Sequence, residues 1–242
     1  MSTLTDTLTR LAREFAVRDI MIPEFDLVCS SDASEAAKLL VKYPDFDMIP
    51  IRTRGVLTAF LERGGSTPRA IRVDDLVSDA TSIFDAVDIL TTRPRAFVLV
   101  RDRVQGYVHF SDLNRPIVKL PFFVLLEAVE RYFFDMLGAE ITPELLRTVL
   151  DPKRCSDLTT KMQRLMVTRS NLNWATLLSF KELILCARRL RSIGCEIADI
   201  DSLSKVRNLV CHAATDLLVE DHGHVRRLAS AKNTCFRLLG SH

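Results

Sequence analysis

An arginine and a histidine stand five positions apart near the C-terminal end of the chain, in a segment with helical periodicity. At about 100° per residue, Arg207 and His212 lie about 140° apart on one helix, and Asn208 lies on the arc between them. A histidine with a pKa of about 6.5 can accept the proton of a ribose 2′-hydroxyl and return one to a leaving 5′-oxygen. A guanidinium can bind the phosphate and stabilise the charge that develops on it. These residue types at this spacing can therefore cleave a phosphodiester without a metal ion.

The opposite face of the same segment is apolar. Its stripe consists of Leu203, Val206, Val210, Ala213 and Leu217, at the spacing of a helix that packs on a core. Two interpretations of the polar face stay open. Either it is a catalytic face, or Arg207 is a solvated side chain and His212 is hydrogen-bonded to a neighbouring carbonyl.

The segment belongs to a part of the chain that has long helical periodicity and little glycine from Ile117 onward. Prolines and capping residues divide this part into helices. The predicted helices cover residues 122–137, a short segment from Pro143, residues 152–168, residues 174–191, a segment capped by Asp201 or Ser202, and a last one capped by Asp221 that ends at Leu239. They predict a helical bundle in which the Arg-His segment is the penultimate helix.

The pattern of Arg207, Asn208 and His212 on the penultimate helix resembles the R-x4-6-H motif of HEPN domains, all-helical units of which many are metal-independent endoribonucleases. The resemblance implies that Arg207 binds the scissile phosphate, that His212 transfers protons and that Asn208 positions one of them. It also implies an RNA substrate, a product with a 2′,3′-cyclic phosphate, and a homodimer whose two motif helices face each other. Glu127 or Glu130 could orient Arg207 or His212.

An internal repeat organises the N-terminal part. Residues 32–40 are predicted to form a helix with Asp32 as N-cap, followed by strands at 48–51 and 56–60 around a turn at 54–55. The same order recurs about 50 residues later. Its predicted elements are a helix at 82–90, a strand at 96–100, a turn at 103–106, a strand at 107–110 and a short helix after Asp112.

This repeat resembles a tandem of CBS domains, a Bateman module, in which two units pack sheet to sheet and the cleft binds an adenosine nucleotide. The second repeat matches the family's ligand motif at Gly106 and Asp112, with His109 in place of the hydroxyl residue and Ser111 beside it. The resemblance implies that Asp112 binds ribose hydroxyls and that His109 or Ser111 contacts phosphate. The alternative is that Asp112 only caps the helix that begins at Leu113.

The first repeat keeps the hydroxyl residue of this motif as Thr58, but Leu61 replaces the aspartate. The resemblance therefore implies at most one good nucleotide site, for AMP, ADP or ATP. Candidates for phosphate contacts are Arg52, Arg54, Arg69, Arg72, Arg93 and Arg95.

Composition limits the other classes of function. The chain has 242 residues, is 48% hydrophobic and carries a net charge of +2, so no extreme charge indicates a partner. It contains neither an apolar run long enough to span a membrane nor an apolar signal core, which predicts a cytoplasmic protein that does not contact a membrane. The six cysteines form no C-x-x-C pair, which favours reduced thiols. Cys211, His212, His222 and His224 fit no common zinc spacing, so no metal is expected.

Together these patterns predict an α+β protein in which a tandem CBS pair of two β-α-β-β-α units is followed by an all-α HEPN-like bundle. The predicted parts are an N-terminal helix at 1–16, the CBS pair at 17–120, divided into 17–66 and 67–120, and the helical domain at 121–242. The function predicted is a HEPN-type endoribonuclease regulated by an adenosine nucleotide. The alternatives are a non-catalytic nucleotide sensor that binds a partner, and a ribonuclease toxin or defence component controlled by a regulatory protein.

Overall fold

The computed structural model describes residues 3–167, 173–191, 196–212, 217 and 223–240. The chain divides into two compact units. The first, here called the α/β unit, comprises Phe15–Val118 and Leu218–Arg226. The second, the helical unit, comprises Met1–Glu14, Lys119–Leu217 and Arg227–His242. A mixed α and β N-terminal part is thus followed by a helical C-terminal part, as the sequence predicts.

The helices and strands are as follows, in chain order: α1 Thr3–Ala12, β1 Ile22–Pro23, α2 Ala33–Lys42, β2 Met48–Thr53, β3 Val56–Glu62, β4 Arg69–Ala70, β5 Leu76–Ser78, α3 Ile83–Thr92, β6 Arg95–Val100, β7 Arg103–His109, α4 Pro116–Leu137, α5 Pro143–Val149, α6 Pro152–Met166, α7 Phe180–Arg191, α8 Ile197–Cys211 and α9 Gly223–Gly240. Short 3₁₀ helices lie between several of them, including Phe110–Asn114 and Trp174–Leu177.

The α/β unit contains the predicted repeat of helix, strand, turn and strand. Asp32 and Ser82 cap α2 and α3 by accepting a hydrogen bond from the backbone N–H three residues later. Both hairpins, β2–β3 and β6–β7, have a register shift after the fourth residue of the first strand. A β-bulge at the same place in both halves strengthens the internal symmetry that the sequence indicates.

The turn predicted at 103–106 is wrong, because β7 already begins at Arg103. The chain reverses instead at Arg101, which has a φ of 58°, and Asp102. Gly106 lies inside β7 opposite Pro23 of β1. A Cβ at this position would lie 2.8 Å from Met21 Sδ and 3.1 Å from the Ile22 carbonyl oxygen. Glycine is therefore needed for the close approach of another segment and not for a turn.

Two sheets form the centre of the α/β unit. Their strand orders are β1-β7-β6-β5 and β2-β3-β4. The strand β1 precedes α2 in the chain but pairs with β7, the last strand of the second repeat. Phe60 of one sheet packs on Phe97 of the other, with ring centroids 5.4 Å apart, and Tyr107 contacts Phe97 from the side. These buried rings join the two halves through apolar contact.

In the helical unit, α7 and α8 begin at residues other than those predicted. Trp174–Leu177 is a separate 3₁₀ turn capped by Asn173, and α7 begins only at Phe180 because Ser179 and Glu182 form a capping box. The helix α8 starts at Ile197, before the predicted caps, and Asp201 pairs instead with Lys181 at 2.6 Å.

The N-terminal helix and α4 also have altered bounds. The N-terminal helix ends at Ala12, and α4 starts at Pro116 and contains Pro121. The helix α9 begins at Gly223, and its predicted cap Asp221 lies outside the described residues.

A charged contact fixes α7 against α6. Arg154 Nε and Nη2 donate to the two carboxylate oxygens of Glu182 at 2.6 and 3.0 Å, and the Ser179 N–H donates to Oε2 at 2.7 Å. Burial raises the pKa of Glu182, but the hydrogen bonds from Arg154 and Ser179 outweigh it and the pKa lies below its usual value. The ionised carboxylate therefore stabilises the fold.

We expect Glu182→Gln to lower the free energy of unfolding by about 1 kcal/mol at neutral pH. Because the pKa of Glu182 is depressed in the folded state, the difference between wild type and variant should shrink as the pH falls below about 4. Urea unfolding of both proteins at several pH values measures this difference in unfolding free energy. Glu144→Gln removes an exposed partner of Arg147 at 3.5 Å and serves as the control, with little expected change. A difference that does not depend on pH would contradict the assignment.

Candidate functional site

The α/β unit contains a cavity of about 650 Å³, which we call the cleft. Its walls come from within residues 22–28, 45–50 and 107–112, together with Pro94. The lining is mainly apolar and includes the rings of Phe46, Tyr107 and Phe110. A cavity of this size with a few polar groups is typical of a small-molecule site.

Three predicted ligand residues, His109, Ser111 and Asp112, line the cleft. They sit at the junction of β7 and the 3₁₀ helix Phe110–Asn114. Asp112 Oδ2 accepts the His109 N–H at 2.8 Å, and Oδ1 accepts Arg115 Nε at 3.2 Å. His109 Nδ1 lies 2.8 Å from Ser111 Oγ. The three side chains are therefore held in place by their own neighbours.

Asp112 is only 8% exposed although it lines the cleft. Burial raises the pKa of its carboxyl, while the His109 N–H and Arg115 lower it in part. The alternative from the sequence, in which Asp112 caps a helix that begins at Leu113, is wrong: the 3₁₀ helix begins at Phe110, its N-cap is His109, and Asp112 is its third residue. A role toward ribose stays a prediction, and it is compatible with these contacts because each carboxylate oxygen can accept a second hydrogen bond.

The other two predicted ligand residues do not line the cleft. Gly106 lies within β7 at the contact with β1, and Thr58 is exposed on β3, where its Oγ1 donates to Thr53 Oγ1 at 3.0 Å. Sequence reasoning missed the acidic and aromatic stretch Asp45, Phe46 and Asp47 between α2 and β2. The only signal for it was its position, because it precedes β2 as Pro94 precedes β6.

Four of the six predicted phosphate-binding arginines already have partners within the α/β unit. Arg95 forms ion pairs with both Asp47 and Glu62. Arg52 pairs with Glu24 at 3.2 Å, and Arg69 with Asp75 at 2.7 Å. Arg93 donates to the Leu76 carbonyl at 3.1 Å, and burial lowers its pKa. None of the residues that line the cleft is a lysine or an arginine.

The predicted catalytic residues lie in the helical unit, but they do not share one helix. The helix α8 ends at Cys211, and His212 has an extended backbone with φ −97° and ψ 111°. The Lys119 ammonium donates to the His212 carbonyl at 2.6 Å. The expected arc of about 140° between Arg207 and His212 required a continuous helix, so that expectation is wrong.

Asn208 and His212 line one open recess of about 310 Å³ together with Lys205, Leu209 and Arg227. Arg207 does not line it, and its Nη2 lies 3.9 Å from Glu130 Oε2. Burial raises the pKa of Glu130, and Arg207 lowers it in part. The cations that line the recess together with His212 are therefore Lys205 and Arg227. Helical spacing from Asn208 could have indicated Lys205, whereas Arg227 comes from another helix.

Within the described residues, no three His, Cys, Asp or Glu side chains are grouped so that they could hold a metal ion. Of the four residues weighed as zinc ligands, His222 lies outside those residues. Among the helices of the described chain, none combines the length and the apolarity that a membrane span requires.

No protein-family model matches the chain, and no curated protein matches it. Among solved structures, the chain is similar to the CBS domain of a bacterial CNNM/CorC family Mg²⁺ transporter in complex with ATP, with 16% identity, a TM-score of 0.36, and 47% of this chain and 94% of that chain covered. It is also similar to Hypoxic Response Protein I with two coordinated zinc ions, with 20% identity, a TM-score of 0.33, and 41% and 97% covered. Because these TM-scores are low, the similarity carries no argument for a function. The argument for a function therefore has to come from the geometry of the cleft.

The raised pKa of Asp112 gives a prediction for Asp112→Asn. Because burial holds the folded pKa above the unfolded value of about 4, wild type loses stability relative to the variant as the pH rises through the folded pKa. We expect the unfolding free energy of wild type minus that of the variant to decrease from about pH 4 to about pH 7 in urea titrations. Asp102→Asn, which removes an exposed aspartate in the β6–β7 turn, is the control for net charge. An increase over this range would mean that the ionised form is the stabilised one.

Proposed function

We propose that the chain is a ligand-responsive regulatory protein whose α/β unit is a tandem CBS module that binds an adenosine ligand. The observation that carries the proposal is the cleft of about 650 Å³ lined by His109, Ser111 and Asp112. Three of the five residues that the sequence offers for the ligand line this cavity.

The lining suits a nucleoside. Phe46, Tyr107 and Phe110 offer ring surfaces and edges against which a purine can pack. Asp112 offers acceptor oxygens to the two ribose hydroxyls. The polar groups at one end and the rings along the walls would together fix the orientation of the ligand.

In this proposal the helical unit is the part whose interactions change when the cleft is filled. A ligand can shift such an equilibrium only by its different affinity for the two states. A homodimer and a regulatory protein partner, both expected from the sequence, belong to the same proposal.

Calorimetric titration of the full chain with adenosine, AMP, ADP and ATP tests the proposal. We expect at least one of them to bind saturably. Asp112→Ala should lower the affinity for that ligand about tenfold or more, because a charged hydrogen-bond acceptor is lost. Phe46→Ala should also lower this affinity, because Phe46 lines another wall of the cleft.

Phe25→Ala is the matched control, since Phe25 is 83% exposed and does not line the cleft. Its affinity should equal that of wild type. Absence of binding by all four compounds to folded wild-type protein would refute the CBS proposal.

A second candidate function, a metal-independent endoribonuclease, is favoured by the recess on the helical unit. It holds an imidazole, an amide and two cations within one surface, with Lys205 and Arg227 beside His212 and Asn208. His212 would take the 2′-hydroxyl proton and return one to the leaving 5′-oxygen, leaving a 2′,3′-cyclic phosphate. The cations would bind the phosphate, and Arg207 would contribute only after leaving Glu130.

Cleavage of a mixed-sequence single-stranded RNA in EDTA tests this second function. If it is correct, His212→Ala lowers the rate by about a hundredfold or more, as expected for loss of a general acid or base. Arg227→Ala should lower the rate more than Arg207→Ala, because only Arg227 lines the recess.

Cleavage of a 2′-deoxy substrate at the same rate would exclude this mechanism. If wild type does not cleave RNA, with or without nucleotide, the ribonuclease function is excluded and the non-catalytic sensor remains as the function. Toxicity on overexpression that disappears with His212→Ala would instead favour the toxin or defence role.

A further inference from the structure

The polar lining of the cleft is acidic. Asp26, Asp45, Asp47 and Asp112 contribute to its walls, and no lysine or arginine does. The one lining side chain that can carry a positive charge is His109. This distribution is opposite to that of sites that bind phosphate groups, which place cations or several N–H donors on the ligand.

Two of the four carboxylates are neutralised by cations behind the lining. Asp47 pairs with Arg95, which also pairs with Glu62, and Asp112 pairs with Arg115 at 3.1 Å. Asp26 and Asp45 are exposed, and among the described residues no lysine, arginine or histidine lies within ion-pair distance of either. Arg63 and Arg95 lie with Asp45 around a neighbouring open pocket, but Arg63 donates to backbone carbonyls and Arg95 pairs with Asp47 and Glu62, so Asp45 has no ion-pair partner among the described residues.

The segment that carries Asp45 is held in place. Arg63 Nε donates to the Phe46 carbonyl at 2.8 Å, and its Nη2 donates to the Tyr43 carbonyl at 2.7 Å and the Leu40 carbonyl at 2.9 Å. The Arg63 N–H donates to the Asp47 carbonyl at 2.8 Å. Asp45 thus belongs to a fixed wall of the cleft. The charge it places there is a property of the folded unit.

Tyr107 also lines the cleft and is buried. Burial raises the pKa of its hydroxyl most, Asp47 and Asp112 raise it further, and Arg95 opposes them. A phosphate group placed in the cleft would also face the exposed carboxylates of Asp26 and Asp45. Repulsion between a phosphate dianion and two solvated carboxylates nearby weakens binding by about tenfold at low salt.

We propose that the cleft selects an adenosine-type nucleoside that is neutral or positively charged over its phosphorylated forms. The proposal rests on the cleft being the ligand site of the proposed function, and it narrows the ligand of that site. The apolar and aromatic walls receive the base, Asp112 binds ribose hydroxyls, and Asp26 and Asp45 act by repelling a phosphate group.

Calorimetry with adenosine, AMP and ATP in EDTA, at about 0.05 M and about 0.5 M salt, tests the selectivity. We expect adenosine to bind about tenfold more tightly than AMP, and AMP more tightly than ATP, at the lower salt concentration. The ratio should decrease at the higher salt concentration, because salt screens exposed charges.

The double variant Asp26→Asn with Asp45→Asn should raise AMP affinity about threefold to tenfold and leave adenosine affinity within about twofold. The control is Asp74→Asn with Asp102→Asn, which removes two exposed aspartates that do not line the cleft. The control pair should leave the ratio of adenosine to AMP affinity unchanged.

Tighter binding of AMP or ATP than of adenosine in EDTA would overturn the selectivity while leaving the proposed function intact. ATP binding that appears only with Mg²⁺ and is lost in the double variant would also overturn it, since the carboxylates would then hold a metal for a nucleotide. Absence of binding by all three compounds would refute the proposed function as well.

Discussion

The α/β unit depends on the close contact between β1 and β7 at Gly106. Any side chain there would meet Met21 Sδ and the Ile22 carbonyl, and overpacking of this kind costs about 1–3 kcal/mol. The contact does more than add a strand to a sheet. Residues 22–28, which begin with β1, contribute one wall of the cleft. The position of that wall is thus fixed by a residue with no side chain.

The repeat could be predicted from the sequence because its signals are local. Caps such as Asp32 and Ser82, short apolar runs for the strands and a glycine in the first turn each act within a few residues. Gly106 was assigned to a turn because the sequence does not distinguish a glycine that permits a turn from one that permits the close approach of another segment. The end of α8 was missed for a similar reason. Lys119, whose ammonium holds the His212 carbonyl, is 93 positions away.

Charges were the hardest feature to predict. The sequence presents several arginines near the second repeat as candidates for phosphate, but Arg95, Arg52 and Arg69 each have a carboxylate partner in the folded chain. Arg154 and Glu182 meet in the same way across 28 positions. Such pairs depend on packing that periodicity does not encode. The residues that line a site are therefore easier to predict than the charge that the site presents.

Asp112 illustrates how folding prepares the carboxylate to which the proposed function assigns the ribose hydroxyls. Its carboxylate is already largely removed from water, and the His109 N–H and Arg115 fix its rotamer. A ligand hydroxyl that reaches it displaces little water and orders no additional side chain. The free energy needed to prepare the group is supplied when the chain folds and is not subtracted from binding. Ligand affinity and folding stability are therefore linked through the 3₁₀ helix Phe110–Asn114. A substitution that destabilises this helix should lower the affinity for the ligand even if the substituted residue does not contact the ligand.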